Sequence, residues 1–210
     1  MPNAIRIMFA AVLYLACAIT AAQSENIFAT KVQPMPPAEL LGLLRAGGNV
    51  IYFRHAATVT FAEKAIDLED CATQRNLSDE GRADAQAIGE AFRQLKIPVG
   101  EVLASPYCRT MDTARLAFGR ALKSADLFSR GKPQEPDEMV RAEWLRGRLG
   151  LAPAPGLNTV LISHGSPLDA VAKEFLHEGE AVVARPAGDG SFRLIARLRP
   201  GQWAELAGVR

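Results

Sequence analysis

Short apolar runs separate stretches of helical periodicity along most of this chain. The runs "NVIYF", "VGEVLAS" and "TVLIS" are rich in β-branched and aromatic residues, which is typical of strands in the interior of a parallel sheet. The later segment "EAVVARPAGDGSFRLIARL" predicts two further strands around a Gly-Asp-Gly turn. The pattern therefore predicts several strands distributed along one domain.

Helical patterns fill the intervals between these strands. The clearest is "LSDEGRADAQAIGEAFRQLKI", in which Ser78 is placed to cap the first turn and apolar residues recur at helical spacing. Shorter helices are predicted at "PAELLGLLRAGG", "RTMDTARLAFGRAL", "EPDEMVRAEWLRGRL" and "SPLDAVAKEFL". Residues 56–77 form a long connection of mixed polarity. Because strands alternate with helices, we predict an α/β domain with a mainly parallel sheet.

The first 22 residues differ from the rest of the chain. One basic residue, Arg6, precedes an apolar run over residues 7–19, and small residues follow. This layout predicts a secretory signal peptide over residues 1–22 and a domain over 23–210. A retained membrane anchor is the alternative, although the run is shorter than the roughly 20 residues that span a bilayer. Lipid attachment at Cys17 is a third alternative, which the residues before it fit poorly.

The charge balance excludes one class of partner. The chain has 24 basic and 23 acidic residues, and removal of the signal peptide takes away Arg6 and no acidic residue. A chain with almost no net charge and no basic run is not typical of nucleic-acid-binding proteins. We therefore expect a secreted or periplasmic protein that binds no nucleic acid and has no stable membrane span after cleavage.

Two of the three cysteines remain after the predicted cleavage, Cys71 and Cys108. In an exported chain, a disulfide between them is the simplest expectation. Two unpaired buried thiols are the alternative. Neither the spacing of the cysteines nor their neighbours indicate a metal site.

Residues that are costly to bury follow three of the predicted strands. The first strand ends in Arg54-His55, the second leads into Arg109 at the start of a helix, and a later strand ends in His164. Ligands of doubly wound α/β folds bind outside the carboxyl ends of the strands, so we expect these side chains to converge. The third histidine of the chain, His177, follows a helical stretch and is expected at the surface.

These residue types suit phosphoryl transfer. The planar fork of arginine matches phosphate oxygens, and a neutral imidazole can attack phosphorus to form a covalent intermediate. A second histidine, when protonated, can stabilise the charge that develops on the transferring group. The sequence therefore predicts a phosphate site at one edge of the sheet.

Four motifs, "YFRHA", "LSDEGRADA", "SPYCRTMDTA" and "LISHG", resemble the histidine phosphatase superfamily, in its phosphoglycerate mutase-like branch. The resemblance extends over nearly all of residues 23–210. It implies a three-layer sandwich with helices on both faces of the sheet, and a phosphohistidine mechanism without metal or cofactor. By motif, His55 corresponds to the nucleophile, and Arg54, Arg109 and His164 to the rest of the phosphate pocket.

The chain departs from the family pattern at two points. The family motif usually reads Arg-His-Gly, whereas this chain has Ala56, and a slightly different turn is expected because alanine tolerates positive φ less well. The resemblance also implies a glutamate general acid after the second arginine. The candidates are Glu135 and Glu138 in that segment, which also holds Asp137, and Glu180 after the second histidine. The sequence does not distinguish between them.

The resemblance also suggests substrate contacts at Arg75 and Asn76, which lie where the family often supplies them. The expected function is that of an exported phosphomonoester hydrolase. Its partner would be a small phosphorylated substrate, with an envelope sugar phosphate or a phosphorylated protein histidine as options. A phosphoglycerate-type mutase is one alternative, disfavoured because the substrates of that reaction are cytoplasmic. A catalytically inactive phosphate-binding relative is the other.

Overall fold

A computed structural model describes part of the chain: Val32 and residues 35–61, 66–129 and 136–208. The predicted signal peptide, residues 1–22, lies outside these ranges, and so does Glu135.

Strands and helices alternate along the described ranges. The strands are β1 (Val50–Arg54), β2 (Val99–Ala104), β3 (Leu122–Lys123), β4 (Asn158–Ser163), β5 (Ala181–Pro186) and β6 (Phe192–Leu198). The helices are α1 (Pro37–Ala46), α2 (Asp79–Gln94), α3 (Cys108–Phe118), α4 (Pro136–Gly150), α5 (Gly165–Ala172) and α6 (Pro200–Ala207). One-turn 3-10 helices lie at Cys71–Thr73 and Ala125–Leu127.

The strands form one sheet in the order β3-β2-β4-β1-β5-β6. The pairs β2·β3, β2·β4 and β1·β4 are parallel, whereas β5 is antiparallel to both β1 and β6. The strands β1 and β4 are neighbours, and Arg54 at the end of one is in register with Ser163 at the end of the other. The predicted α/β class with a mainly parallel sheet is confirmed, and the register brings the ends of β1 and β4 to the same edge.

The core lies on both faces of the sheet, because successive strand residues point to opposite sides. Along β1, Ile51 and Phe53 pack with α1, α2, α3 and α6, whereas Val50 and Tyr52 pack with α4 and α5. Both sides of the strand are fully apolar for this reason. The three-layer arrangement that the resemblance implies is thus confirmed.

Local chemistry explains several helix ends. Ser78 caps α2 as predicted, since its Oγ accepts a hydrogen bond from the Gly81 N–H at 3.1 Å. Helix α3 ends at Gly119, which is left-handed with φ 69°. The predicted helix continued past this glycine, and the structure has the short strand β3 there instead.

Two features of the C-terminal half differ from the sequence prediction. Helix α5 ends at Ala172 because Lys173 is left-handed with φ 55°, whereas the helical pattern extended further. Helix α6 was not predicted, yet it places Trp203 fully buried against Phe53 and Phe92. Its eight residues are too few for a clear period, so packing against the sheet determines it.

Helix α2 lies directly against the loop that follows β1. A side-chain Cβ at Gly81 would overlap the carbonyl group of Ala57, so this position admits only glycine at the observed separation. The backbone N–H of Ser78 donates to the same carbonyl at 3.0 Å. The start of α2 therefore fixes the loop that leaves His55. Among the described residues, no helix has the length and apolar character needed to cross a bilayer.

Candidate active site

The two histidines that follow β1 and β4 meet at the carboxyl edge of the sheet. The ring centroids of His55 and His164 are 5.6 Å apart, with the rings nearly perpendicular. Both side chains are buried, and so is Arg109 in the first turn of α3. The structure thus brings together residues that are more than 100 positions apart in the sequence.

The His55 ring is held in one tautomer by its own loop. Its Nδ1 lies 2.9 Å from the carbonyl oxygen of Ala56, which can only accept, so Nδ1 carries the proton and Nε2 keeps its lone pair. Burial, and to a smaller extent the nearby Arg109 and Arg54, lower the pKa of His55 to about 3, against the effect of the Ala56 hydrogen bond. His55 is therefore a neutral imidazole with a nucleophilic nitrogen.

Ala56 fits the turn that the family motif usually builds with glycine. Its side chain is fully buried, and its N–H donates to the Thr113 hydroxyl at 3.1 Å. Among the described residues other than glycine, positive φ occurs at Lys96 and Lys173 and not at Ala56. The turn therefore needs no glycine here, and the expected departure from the family conformation has no steric cause.

His164 is fixed on three sides. Its Nε2 lies 3.0 Å from the Ser105 hydroxyl, its carbonyl oxygen accepts from the Tyr52 hydroxyl at 2.7 Å, and the Tyr107 ring packs edge-on at 4.9 Å. Burial and the neighbouring His55 and Arg109 lower the pKa of His164 well below its usual value. The protonated form that the sequence argument used is thus disfavoured in the unliganded pocket, and a bound phosphate dianion would favour it.

The Arg109 side chain lies over the ring of Tyr107, with Cζ 4.1 Å from the ring centroid. Its backbone carbonyl accepts from the hydroxyl of Thr113, the same group that receives the Ala56 N–H. Its Nη1 also points to the carbonyl oxygen of Arg75 at 3.5 Å. The backbone of Arg109 is therefore connected through Thr113 to the His55 loop, and its guanidinium contacts the 66–77 loop.

Arg54 is held at the opposite side of the His55 loop. Its Nη1 donates to the Leu176 carbonyl at 2.8 Å, and its Cζ lies 5.4 Å from the Phe175 ring centroid. Burial lowers the pKa of Arg54, although Glu178 opposes this effect. The buried Nε–H of Arg54 has no hydrogen-bond partner among the described residues, which leaves a donor for a ligand oxygen.

Of the two predicted substrate-contact residues, the structure brings Arg75 to the pocket. Its Nη2 lies 3.5 Å from the Glu178 carboxylate that also contacts Arg54. The Asn76 amide instead donates to the Cys71 carbonyl at 2.7 Å, which is a contact within its own loop.

Sequence reasoning missed Glu178. Its carboxylate accepts from the Thr58 N–H and hydroxyl, both at 2.9 Å, and lies against Arg54 and Arg75. The two glutamates of "HEGEA" are the sequence feature that could have indicated it. No sequence pattern shows which of them, Glu178 or Glu180, faces the site. The backbone of the preceding and following residues pairs with Arg54 and His55, and this pairing determines which glutamate faces the site.

Glu180, the candidate chosen from that segment, points elsewhere. Its carboxylate accepts from Arg197 on β6 at 2.5 Å and from the backbone N–H of His177 at 2.7 Å. Although burial alone would raise the pKa of Glu180, these hydrogen bonds outweigh it and lower the pKa. A general acid must hold a proton, so this environment is unsuitable for one. His177 itself is exposed, as its position in the sequence indicated.

Glu138 lies in the first turn of α4 with its side chain 10% exposed, and it pairs with Arg141 at 3.0 Å. Arg141 lies over the Phe128 ring, which stacks on Tyr107 beside His164. A continuous wall thus leads from Glu138 to the histidines. The third candidate, Glu135, falls outside the described residues, and Asp137 is exposed next to Glu138.

Cys71 and Cys108 are joined by a disulfide that closes a separation of 37 residues. The bond attaches the 66–77 loop to the first residue of α3, directly before Arg109. Within the ranges that the structure describes, no three His, Cys, Asp or Glu side chains are grouped as metal ligands are. The side chains that meet at the sheet edge are the two imidazoles of His55 and His164 and the guanidinium of Arg109.

Several solved structures that share this fold are named as phosphatases. The protein histidine phosphatase SixA, complexed with tungstate, is 15% identical, with a TM-score of 0.53 over 73% of this chain and 98% of its own. A mycobacterial glucosyl-3-phosphoglycerate phosphatase with inorganic phosphate is 14% identical, with a TM-score of 0.51 over 71% of this chain and 96% of its own. Phosphoserine phosphatase from Entamoeba histolytica is 12% identical, with a TM-score of 0.50 over 71% and 95%.

At these identities the likeness establishes the fold. No curated protein matches this chain in sequence. The profile of the histidine phosphatase superfamily (branch 1) matches residues 50–131, which include both His55 and Arg109. The remaining part of the fold supplies His164 at the expected strand end. The family match and the shared fold both agree with the resemblance of the four motifs to the histidine phosphatase superfamily.

Proposed function

We propose that this protein is an exported phosphomonoester hydrolase that works through a phosphohistidine at His55. The observation that carries the proposal is the state of the His55 ring. It is buried and neutral, with Nδ1–H held by the Ala56 carbonyl and the Nε2 lone pair available. It lies among Arg54, Arg109 and His164, whose donors suit a phosphoryl group.

The reaction has two steps. In the first, the Nε2 lone pair of His55 forms a bond to phosphorus while the bond from phosphorus to the ester oxygen breaks, and the leaving oxygen takes a proton from a general acid. In the second, water attacks phosphorus, the general base takes its proton, and the nitrogen–phosphorus bond breaks. Arg54 and Arg109 stabilise the equatorial oxygens in both steps. The products are an alcohol and inorganic phosphate.

We assign the general acid and base to Glu138. It is largely buried and attached through Arg141 and Phe128 to the wall that carries Tyr107 and His164. Glu180 is engaged by Arg197, and Glu178 accepts from Thr58 beside two arginines. Although its carboxylate also pairs with an arginine, Arg141, Glu138 is the described candidate whose neighbours lead to the histidines.

Two observations support export. The first is the signal-like pattern of residues 1–22, and the second is the disulfide between Cys71 and Cys108, a bond typical of oxidising compartments. We propose a small phosphorylated substrate, such as an envelope sugar phosphate. The names of the structural neighbours, among them a phosphatase of a phosphorylated sugar acid, are compatible with this class.

The test is hydrolysis of an aryl phosphate by the full chain with EDTA present. We expect turnover that survives EDTA and is lost in His55→Ala, because no other group supplies the nucleophile. His177→Ala is the matched control, since that histidine is exposed and should leave the rate unchanged. A rate in His55→Ala equal to that of the wild type would contradict the proposal, and so would a wild-type rate that requires a metal ion.

A further inference from the structure

The 66–77 loop places Arg75 in the pocket, and its apolar contribution to the core is limited to Leu77 at its end, which packs with Ala56 and Ala85. Over residues 66–73, none of the apolar side chains is buried. The first buried side chain in the loop is that of Gln74, which is polar. Hydrophobic packing therefore does not hold residues 66–73, and their position must depend on specific bonds.

Those bonds converge on the first residue of α3. Cys71 is joined covalently to Cys108, and the Gln74 amide oxygen accepts from the Cys108 backbone N–H at 2.8 Å. Gln74 also donates to the carbonyl of Asp67 at 2.8 Å, which closes the loop on itself. The disulfide and Gln74 thus form one double attachment, which we call the Cys108 anchor.

Arg75 follows the Cys108 anchor directly. Its carbonyl oxygen accepts from Arg109 at 3.5 Å, and its guanidinium lies 3.5 Å from Glu178. On its other side, the loop pairs with the His55 loop through the Thr58–Leu77 bridge. Arg75 therefore lies between two attachments, the Cys108 anchor and the Thr58–Leu77 bridge. Of the two, the Cys108 anchor contains a disulfide, which a reductant can cleave.

We propose that the Cys71–Cys108 disulfide positions Arg75 in the phosphate pocket, so that the redox state of this bond sets the affinity of the pocket for phosphoryl groups. The inference rests on the proposed function and adds a form of regulation to the same site. His55 and His164 extend from buried strands and keep their places when the bond opens. Reduction should therefore weaken binding more than it slows the chemical step.

The bond is open to attack from one side, because Cys71 is exposed whereas Cys108 is buried. A thiolate of a dithiol reductant attacks the Cys71 sulfur, forms a mixed disulfide and releases Cys108 as a thiolate that takes up a proton. The second thiolate of the reductant then attacks the reductant's first sulfur, which is bonded to Cys71 in the mixed disulfide. This releases Cys71 as a thiolate, which also takes up a proton. Two electrons pass to the protein, and the reductant becomes a cyclic disulfide.

The experiment measures binding of inorganic phosphate by calorimetry, with and without a dithiol. It uses the full chain carrying Cys17→Ser, so that the pair is the sole thiol source. We expect reduction to raise the Kd for phosphate about tenfold, the effect of losing one charge-assisted contact. In an Arg75→Ala background the same treatment should change the Kd less than about twofold. The KM for an aryl phosphate should rise in parallel, with kcat changed less than about twofold.

Two variants guard against a loss of folding. The double substitution Cys71→Ser with Cys108→Ser should reproduce the reduced state without a reductant. If either form unfolds, Gln74→Met in the oxidised chain removes the second half of the Cys108 anchor while the disulfide remains. It should also raise the Kd for phosphate, and again not in the Arg75→Ala background.

Equal Kd values for the oxidised and reduced chains overturn the inference. An equal loss with and without Arg75 also overturns it, because the bond would then act on the fold as a whole. Failure of the proposed function is distinguishable, since an oxidised wild-type chain that neither binds phosphate nor hydrolyses the ester would refute the function and the inference together.

Discussion

The two sides of the pocket are built in different ways. The phosphate side consists of His55, His164 and Arg109, which are all buried and lie at strand ends or in the first turn of a helix. The other side, to which we assign the general acid, consists of Glu138 at the start of α4 and of the Phe128 loop that packs on Tyr107. Strand ends and the start of α3 position the first group, whereas contacts of Arg141 with Glu138 and Phe128 position the second.

This difference separates the reaction from the choice of substrate. Attack on phosphorus needs a rigid, dry site, and the sheet edge supplies it through groups with little freedom to move. The leaving group differs between substrates, and the loops that face it are held by few contacts. We therefore expect substitutions on the phosphate side to affect all substrates alike, and those on the other side to depend on the leaving group.

The largest effect is expected for Arg109→Lys. Lysine has no planar fork and cannot reproduce both the contact with Tyr107 and the donors toward phosphate. We expect kcat/KM to fall by about 10² to 10³ for alkyl and aryl phosphates equally. Steady-state kinetics on both substrate types measures this loss.

Arg115→Lys is the matched control, because that arginine lies on the same helix with its side chain 60% exposed. A loss in Arg109→Lys confined to one substrate type would remove the distinction between the two sides of the pocket.

A smaller and selective effect is expected for Glu138→Gln. A poor leaving group such as an alkoxide needs a proton as it departs, so we expect the rate on an alkyl phosphate to fall about 100-fold. A good leaving group such as nitrophenolate departs as an anion, and its rate should fall less than about tenfold. The slope of the logarithm of the rate against leaving-group pKa measures the difference.

Glu143→Gln, on the same helix with its side chain 75% exposed, should leave that slope unchanged. If Glu138→Gln affects both leaving groups equally, the proton donor is another residue.

The smallest expected effect is a loss of folding free energy at acid pH, which arises because the His55 ring on the phosphate side is buried. The pKa of His55 is about 3 in the folded chain, against 6.5 for a histidine side chain in water. Below about pH 6.5 the unfolded chain takes up a proton that the folded chain does not, so acid favours unfolding. Between about pH 7.5 and pH 5, His55 alone should cost about 2 kcal/mol of folding free energy.

Urea denaturation at the two pH values measures this loss. We expect His55→Asn to reduce the pH dependence by that amount, whereas His177→Asn, at an exposed position, should preserve it. An unchanged pH dependence in His55→Asn would mean that the His55 ring is solvated.

The sequence was a good guide to the phosphate side and a poor guide to the other. Arg54, His55, Arg109 and His164 follow apolar runs, and a parallel sheet gathers strand ends at one edge. No such rule governs loops. The sequence indicated Glu180 as a candidate acid and did not indicate Glu178. Which of the two side chains faces Arg54 depends on the backbone hydrogen bonds that residues 179 and 180 make with His55 and Arg54.

The sequence by itself determined most of the strand and helix alternation, the resemblance to the family, and the residues at the strand ends, because local periodicity and motifs depend on residues that are close in the sequence. The tertiary structure decided the rest. It placed Glu178 rather than Glu180 against Arg54 and Arg75, and it made His55 a neutral base by excluding water from the ring. These outcomes depend on distances between residues far apart in the chain, and such distances exist only once the sheet has formed.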